Sequence, residues 1–199
     1  MTTLEHLRKI YPQMVETRRH IHQHPELSFL EFETSAYIQK QLHEMGIAFS
    51  VMATTGIVAH IGSGSRCVAL RADIDALPLV EETRLPYSSL NHGVMHACGH
   101  DTHTTMLLTA AQILKTQEST LGGVVKLIFQ PGEEKTPGGA SLMIEEGALN
   151  NPKPEIIRDS PLMLHSHTRA RTQLWPLRAL YNISKRSLQR TAIPFYRAL

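Results

Sequence analysis

The chain has 199 residues, which is enough for one domain with a sizeable buried core. Its apolar fraction of 42% and its charged fraction of 19% are typical of a globular protein and exclude wholesale disorder. Two cysteines in a chain of this length exclude a scaffold built from disulfides.

The net charge of +2 conceals two kinds of sequence. Residues 1–157 carry 12 basic and 17 acidic residues, whereas residues 158–199 carry eight basic residues and one acid. All 12 glycines lie at or before Gly147, although folded α/β proteins use glycine at their turns. The first residues lack the apolar run of a signal peptide, and no stretch of 18 apolar residues predicts a membrane span. We therefore expect a cytoplasmic protein without a membrane partner.

Two capping boxes predict the first two helices. The first, Thr2-x-x-Glu5, predicts a helix that ends before Pro25. The second, Ser28-x-x-Glu31, predicts another helix directly after it. The apolar positions of this second helix predict a buried stripe of Phe32, Ala36, Ile38, Leu42 and Met45.

Strands then alternate with helices along the chain. Apolar segments bounded by turn residues predict strands over residues 47–53, 57–61, 67–75 and 124–129. Helices are predicted over residues 101–117, with Asp101 or Thr102 as the N-cap, and over residues 140–146. This alternation predicts an α/β fold in which helices cover the faces of a sheet.

A histidine-rich segment precedes the predicted 101–117 helix. Four of the 12 histidines and one of the two cysteines lie within residues 92–103. In an extended segment, Cys98 and His100 project from the same face, and the positive end of the following helix would lower the pKa of the thiol. A thiolate and an imidazole suit a Zn, Mn, Co or Ni ion. A histidine-rich surface loop and a nucleophilic Cys98–His100 pair are the alternatives.

Carboxylates follow two of the predicted strands. Glu133 and Glu134 come just after the 124–129 strand, where α/β proteins usually place their sites. One of them can bind a metal while the other serves as a general base. Asp73 and Asp75 end the 67–75 strand and could bind a metal or hold a metal-ligating histidine. Solvated surface turns are the alternative for each pair, but the three features together fit one shared site.

Two other features have structural interpretations. The tract His20-x-His22-x-His24 could bind a metal, but we interpret it as a polar helix end. Cys67 begins an apolar strand, and we interpret it as a core thiol.

Four motifs occur in order between about residue 5 and residue 157. They are Arg18-Arg-His with His24-Pro-Glu-Leu-Ser, Leu70-Arg-Ala-Asp-Ile-Asp-Ala-Leu-Pro, His96-Ala-Cys-Gly-His-Asp and Gln130-Pro-Gly-Glu-Glu. Together they resemble the M20 metallopeptidase family, in the amidohydrolase branch that contains hippurate hydrolases, N-acyl amino acid amidohydrolases and plant auxin-conjugate hydrolases. The resemblance implies a partial zinc-peptidase-like catalytic domain with a mixed sheet flanked by helices.

The resemblance also implies the chemistry of the site. Cys98, His100 and Glu134 match metal ligands of a centre with two divalent ions (Zn, Mn, Co or Ni). Glu133 matches the general base, and Asp75 matches the aspartate that supports the site. The implied reaction is hydrolysis of the amide bond of an N-acyl amino acid such as hippurate, with this small molecule as the partner. A peptidase of the same family acting on dipeptides is the alternative.

The family pattern is absent from residues 158–199. The family continues with a Phe-Gly-x-His segment, a lid and dimerisation domain and a final histidine ligand. The codons ATT CGG GAC TCA C can encode the chain from Ile157 to Ser160, and read one base later they encode Phe-Gly-Thr-His. We therefore expect a frameshift near residue 157, part of the catalytic domain over residues 1–157 and a poorly ordered tail over residues 158–199.

This departure shapes the functional expectation. We expect a truncated and impaired copy without the dimerisation domain, and an inactive fragment with a partial metal site is the alternative. His165 and His167 could replace a lost ligand, but the surrounding pattern is absent. The basic tail carries no nucleic-acid-binding motif, so we expect no nucleic-acid partner. An uncovered side of the sheet predicts poor solubility.

Overall fold

Helices and strands alternate along the chain as the apolar pattern predicts. The computed structural model of the protein describes residues 3–159. Its helices are α1 (Thr3–Gln23), α2 (Phe32–Glu44), α3 (His100–Thr116) and α4 (Gly139–Glu145). Its strands are β1 (Phe49–Met52), β2 (Gly56–Ile61), β3 (Cys67–Asp73), β4 (Val124–Gln130) and β5 (Ile156–Asp159).

The five strands form one mixed sheet in the order β1-β2-β4-β3-β5. The pairs β3–β4 and β3–β5 are parallel, whereas β1–β2 and β2–β4 are antiparallel. This confirms the predicted mixed α/β sheet. Asp73 is the register partner of Gln130, so β3 and β4 end side by side at the same edge. The loops that follow these two strands therefore lie next to each other, as at the usual site of an α/β protein.

The core lies on both faces of β4, because all seven residues of this strand are buried. On one face, α2 and α3 cover the sheet through Ile38, Leu42, Leu107, Leu108, Ala111 and Leu114. On the other face, Met143 of α4 packs with Ala53, Val58, Ala69, Ile128 and Ala148. Helix α1 packs against α3, where Leu7 and Ile10 contact Ile113.

The start of α2 differs from the predicted capping box. The Glu26 carboxylate accepts hydrogen bonds from the backbone N–H groups of Glu33 (3.0 Å) and Thr34 (2.8 Å), and the side chain of the N-cap residue makes no capping bond. The predicted stripe is also wrong at its first two positions, because Phe32 and Ala36 are exposed. The residues of α2 that are buried are Thr34, Ser35, Ile38 and Leu42.

Strand β5 has no counterpart in the predicted elements, and the predicted boundary at residue 157 falls inside it. Arg158 and Asp159 pair with Leu70 and Arg71 of β3. The rest of the predicted tail, which includes His165 and His167, lies outside the described residues. Within residues 3–159, no helix combines the length and the apolar character of a membrane-spanning segment.

Candidate metal centre

Three side chains with metal-binding atoms converge where β3 and β4 end. One ligand atom each from Cys98, His100 and Glu134 lies within 4.8 Å of the other two. His100 Nε2 lies 3.9 Å from Glu134 Oε1. The structure thus brings together the three residues that the sequence singles out as ligands. The same arrangement leaves Glu133 beside Glu134 on the loop that follows β4.

A left-handed glycine creates this convergence. Gly99 has a φ of 86° and is the N-cap of α3, so the helix begins at His100 and not at residue 101 or 102. The predicted extended Cys-x-His segment is therefore wrong, because a turn brings the two side chains together. Asp101, one of the two predicted N-caps, is fully buried inside the first turn, where its Oδ1 accepts from the backbone N–H of Thr102 at 2.8 Å. Its Oδ2 pairs with Arg18 Nε (2.8 Å) and His22 Nδ1 (2.7 Å) of α1.

Asp75 links two of the three candidate ligands. His100 Nδ1 lies 3.1 Å from Asp75 Oδ1 and 3.0 Å from the Asp75 carbonyl oxygen. Because both partners are acceptors, Nδ1 carries a proton and donates it, which leaves Nε2 as the ligating nitrogen. Asp75 Oδ2 accepts a hydrogen bond from the backbone N–H of Glu134 at 2.9 Å. Burial acts to raise the pKa of Asp75, but the hydrogen bonds from His100, Glu134 and Ser28 outweigh it and lower the pKa to about 2.

The thiol of Cys98 lies in a negatively charged environment. Loss of solvent, the hydrogen bond with Glu134 and the charges of Glu134, Glu133 and Asp75 raise its pKa to about 12. The predicted lowering of this pKa is therefore wrong, because loss of solvent and then the neighbouring carboxylates raise it. A divalent cation at this point would offset the clustered negative charge. The sulfur, nitrogen and oxygen donors fit such an ion.

Glu133 has the properties of a proton acceptor. Partial burial and the neighbouring Glu134 charge raise its pKa, while the charges of His100 and Arg71 oppose this rise. Its side chain remains exposed. A carboxylate with a raised pKa at an open site suits general base catalysis near neutral pH.

A second group of potential ligands shares His100. Atoms of Asp73, His100 and His103 lie within 4.8 Å of one another. His103 Nδ1 lies 2.5 Å from Asp73 Oδ1, and Arg71 Nη1 lies 3.2 Å from Asp73 Oδ2. Sequence reasoning considered Asp73 but assigned no role to His103. The spacing His100-x-x-His103 is the available signal, because residues three apart lie on the same face of a helix.

Two histidines near these groups carry unpaired ring nitrogens. His96 is 4% exposed, and burial lowers its pKa to about 4. Both ring nitrogens of His96 and Nε2 of His103 lack a hydrogen-bond partner within the part of the chain that the structure describes. Buried polar atoms are usually paired, so this side of the site is incompletely satisfied within residues 3–159.

The histidine tract at the end of α1 divides between surface and interior. The rings of His20 and His24 contact each other in a tilted arrangement with centroids 4.5 Å apart, which agrees with a polar helix end. His22 differs, because it is buried between Asp101 and Glu81. The predicted polar helix end is therefore wrong at His22, which ties α1 to the first turn of α3.

Comparison with known proteins identifies the family. Residues 69–171 match peptidase family M20/M25/M40. The chain belongs to this family. The match confirms the family resemblance, includes three of the four motifs and every candidate ligand described above, and extends past the predicted boundary at residue 157.

Relatives of this M20 chain are named as a deacetylase and a hydrolase. It is 52% identical over 141 residues to N-acetyl-L-cysteine deacetylase of Bacillus subtilis (strain 168), an alignment that covers 69% of the chain and 34% of the relative. It is 46% identical over 151 residues to IAA-amino acid hydrolase ILR1-like 4 of Arabidopsis thaliana, covering 75% and 34%. The M20 chain therefore spans about a third of the length of these curated relatives.

A solved structure supports the same fold. A dinuclear metal-binding peptidase of the M20 family from Bacillus subtilis superposes with a TM-score of 0.72 at 40% sequence identity. The superposition covers 76% of the M20 chain and 43% of that peptidase. The predicted catalytic-domain fold is therefore confirmed for the described residues.

Proposed function

We propose that the protein is a metal-dependent amidohydrolase that hydrolyses the amide bond of N-acyl amino acids. The observation that carries the proposal is the convergence of Cys98, His100 and Glu134 within 4.8 Å beside Glu133. This donor set lies where two parallel strands end, in a family whose named relatives are hydrolases.

The proposed cofactor is a pair of divalent ions, such as Zn, Mn, Co or Ni. Cys98, His100 and Glu134 would hold an ion through sulfur, nitrogen and oxygen. The dinuclear Bacillus subtilis peptidase supports two ions in the complete centre. When bound, such ions polarise the substrate carbonyl and lower the pKa of the attacking water.

The protein's own residues transfer the proton and hold the proposed ligands in position. Glu133 takes a proton from the attacking water and passes it to the leaving amine, for which its raised pKa is suited. Asp75 keeps the proton of His100 on Nδ1 and fixes the backbone of Glu134. The reaction therefore needs the loops after β3 and β4 at a fixed separation.

The substrate class follows from what the relatives share. One is named for deacetylation of N-acetyl-L-cysteine and the other for hydrolysis of IAA-amino acid. Both names describe removal of an acyl group from an amino acid. We therefore extend this class to the present protein, with N-acetyl-L-cysteine and N-benzoylglycine as representative test substrates.

Cobalt binding tests the metal centre. We expect Co²⁺ added to the full chain to give a thiolate-to-cobalt charge-transfer band, because Cys98 would ligate the ion. Cys98→Ser should abolish this band. Cys67→Ala is the matched control, since Cys67 is buried at the opposite end of β3 and should leave the band intact. A band that survives Cys98→Ser, or a folded chain without any band, contradicts the proposed centre.

Turnover tests the reaction. The metal-loaded chain is assayed with N-acetyl-L-cysteine, N-benzoylglycine and a dipeptide. Glu133→Gln should retain the cobalt band and lose the hydrolysis of N-acyl amino acids by about 10²-fold or more, on the order expected for a general base. Preferential cleavage of the dipeptide contradicts the proposed substrate class. Unchanged turnover in Glu133→Gln contradicts the proposed proton transfer.

A further inference from the structure

The segment between α1 and α2 lies against both loops that form the candidate site. Leu27 forms a parallel bridge with Ala76, and the backbone N–H of Ala76 donates to the carbonyl of Glu26 at 2.8 Å. This pairing fixes the segment beside the chain that leaves β3. We call residues 28–31 (Ser-Phe-Leu-Glu) the brace.

Ser28, at the start of the brace, contacts the carboxylate of Asp75. Its buried hydroxyl donates to Asp75 Oδ2 at 2.7 Å, and the same oxygen accepts the backbone N–H of Glu134. The other oxygen of Asp75 lies beside His100 Nδ1. Ser28 therefore holds the one carboxylate that orients two of the candidate ligands.

Glu31, at the end of the brace, contacts the loop that follows β4. Its carboxylate is fully buried and accepts hydrogen bonds from the backbone N–H of Gly132 (2.8 Å) and the Thr55 hydroxyl (2.7 Å). A buried carboxylate is costly unless it is hydrogen-bonded, so this contact strongly favours one position of the loop. Gly132 directly precedes Glu133, the candidate general base.

Phe29 gives the brace its shape. Its φ of 67° lies in the left-handed region, which non-glycine residues rarely adopt. Its ring packs so closely on Gly132 that a Cβ at this glycine would overlap the ring. Backbone strain of this kind persists where the surroundings impose it, and it clusters at functional sites. Phe29 and Glu31 thus contact Gly132 from the same segment.

A purely structural role at the start of α2 does not explain these contacts. Two of the free N–H groups at the start of this helix, those of Glu33 and Thr34, are bonded by the Glu26 carboxylate. The side chains of Ser28 and Glu31 point instead to partners 47 and 101 residues away in sequence. Both of those partners belong to the loops of the candidate centre.

We propose that the brace sets the separation of the two site-forming loops, with Ser28 and Glu31 as positioning residues for His100, Glu133 and Glu134. This inference rests on the proposed metal centre. According to this inference, the affinity of the centre for metal depends partly on the brace, although the brace contains no candidate ligand. Residues that orient ligands typically change metal affinity by about 10- to 100-fold when mutated.

The test uses the full chain with Ser28→Ala and Glu31→Met, which removes both acceptor oxygens at nearly constant side-chain length. Ser35→Ala is the matched control, because Ser35 is also buried, and its hydroxyl accepts a bond from Gln39 within α2. We expect Co²⁺ affinity to fall about tenfold in both brace variants and to stay within about twofold in the control. Amide hydrogen exchange of the metal-free chain should be about fivefold faster at Glu134 in Ser28→Ala and at Gly132 in Glu31→Met. Ser28→Ala removes a single oxygen atom, so it tests the proposal on its own if Glu31→Met does not fold.

The outcomes separate this proposal from the proposed function. Brace variants that lose stability in urea but keep Co²⁺ affinity within about twofold of the parent chain overturn the positioning role. If the parent chain shows no cobalt–thiolate band, the proposed metal centre fails. In that case the amide exchange rates alone test whether the brace positions the loops, and unchanged rates at Gly132 and Glu134 overturn that role as well.

Discussion

Replacing Asp75 by asparagine probes the geometry of the centre most directly. The substitution keeps the size of the side chain but exchanges one acceptor oxygen for an amide donor. Asp75 Oδ1 faces His100 Nδ1, and Asp75 Oδ2 accepts from the Ser28 hydroxyl and the Glu134 backbone. The side-chain amide of Asp75→Asn cannot serve all three donors, so its NH₂ group would face at least one of them.

Both orientations of the new amide damage the ligand set. If the NH₂ group faces His100, it opposes the proton on Nδ1, whereas the tautomer with its proton on Nε2 leaves the Asp75 carbonyl oxygen without its donor and blocks the nitrogen that faces the candidate centre. If it faces Glu134, the backbone N–H of that ligand loses its acceptor, while the Ser28 hydroxyl can rotate. Each case costs one hydrogen bond to a charged group, about 1.5–3 kcal/mol. This corresponds to metal binding weakened by about 10- to 100-fold.

The assay is competition between the protein and a chelator for Co²⁺, followed through the cobalt–thiolate band. Glu145→Gln is the control, because it exchanges a carboxylate for an amide at an exposed position on α4. Urea unfolding of the metal-free proteins shows how much of any change reflects stability alone. A folded Asp75→Asn protein with Co²⁺ affinity within about twofold of the parent would refute the claim that Asp75 orients the ligands.

Three further substitutions test the fold around the site. The pKa of His22 is raised above its ordinary value of 6.5, chiefly by the hydrogen bond with Asp101. The protonated form of His22 therefore stabilises the fold below pH 6.5, and this contribution is lost as the pH rises through the pKa of the folded state. His22→Gln should therefore flatten the decline of unfolding free energy above about pH 6.5 in urea titrations, and an unchanged slope contradicts this assignment. Lys126→Met removes the donor to the backbone carbonyls of Ala148 and Asn150 after α4 and should lower the unfolding free energy by about 2 kcal/mol, whereas a loss below about 0.5 kcal/mol contradicts it. Gly139→Ala places a Cβ onto the carbonyl oxygen of Pro131 and should cost about 1–3 kcal/mol by the same measurement, while a neutral result shows that the loop can shift freely.

Local patterns predicted most of the elements because their causes are local. Apolar periodicity and turn residues located both N-terminal helices and four strands, and the uninterrupted apolar run of β4 agrees with its central position. Strand β5 escaped prediction because it is four residues long and its residues are all exposed. Its place in the sheet depends on pairing with β3, far earlier in the chain, and no local pattern indicates such a pairing.

The candidate ligands were predictable because they lie at strand ends and in recognisable motifs. The brace was not predictable, because Ser28-x-x-Glu31 has the pattern of a capping box, and this local pattern already explains both residues. Only the tertiary structure shows that Glu26 bonds the helix start while Ser28 and Glu31 turn toward the site. The same limitation explains the wrong pKa of Cys98, since the three carboxylates that surround the thiol come from other segments.

Metal binding by the proposed centre can be measured separately from turnover. Asp75 follows β3, His100 begins α3 and Glu134 follows β4, so the proposed ligands and their support lie together within residues 3–159. A metal that binds only the folded chain stabilises it, by about 2.7 kcal/mol at a free concentration about 100 times the Kd. Because this stabilisation requires no substrate, it reports on the ligand set in a chain that spans about a third of its relatives' length. A metal-dependent rise in unfolding free energy that disappears in Cys98→Ser would therefore establish the centre on physical grounds, whatever the rate of hydrolysis.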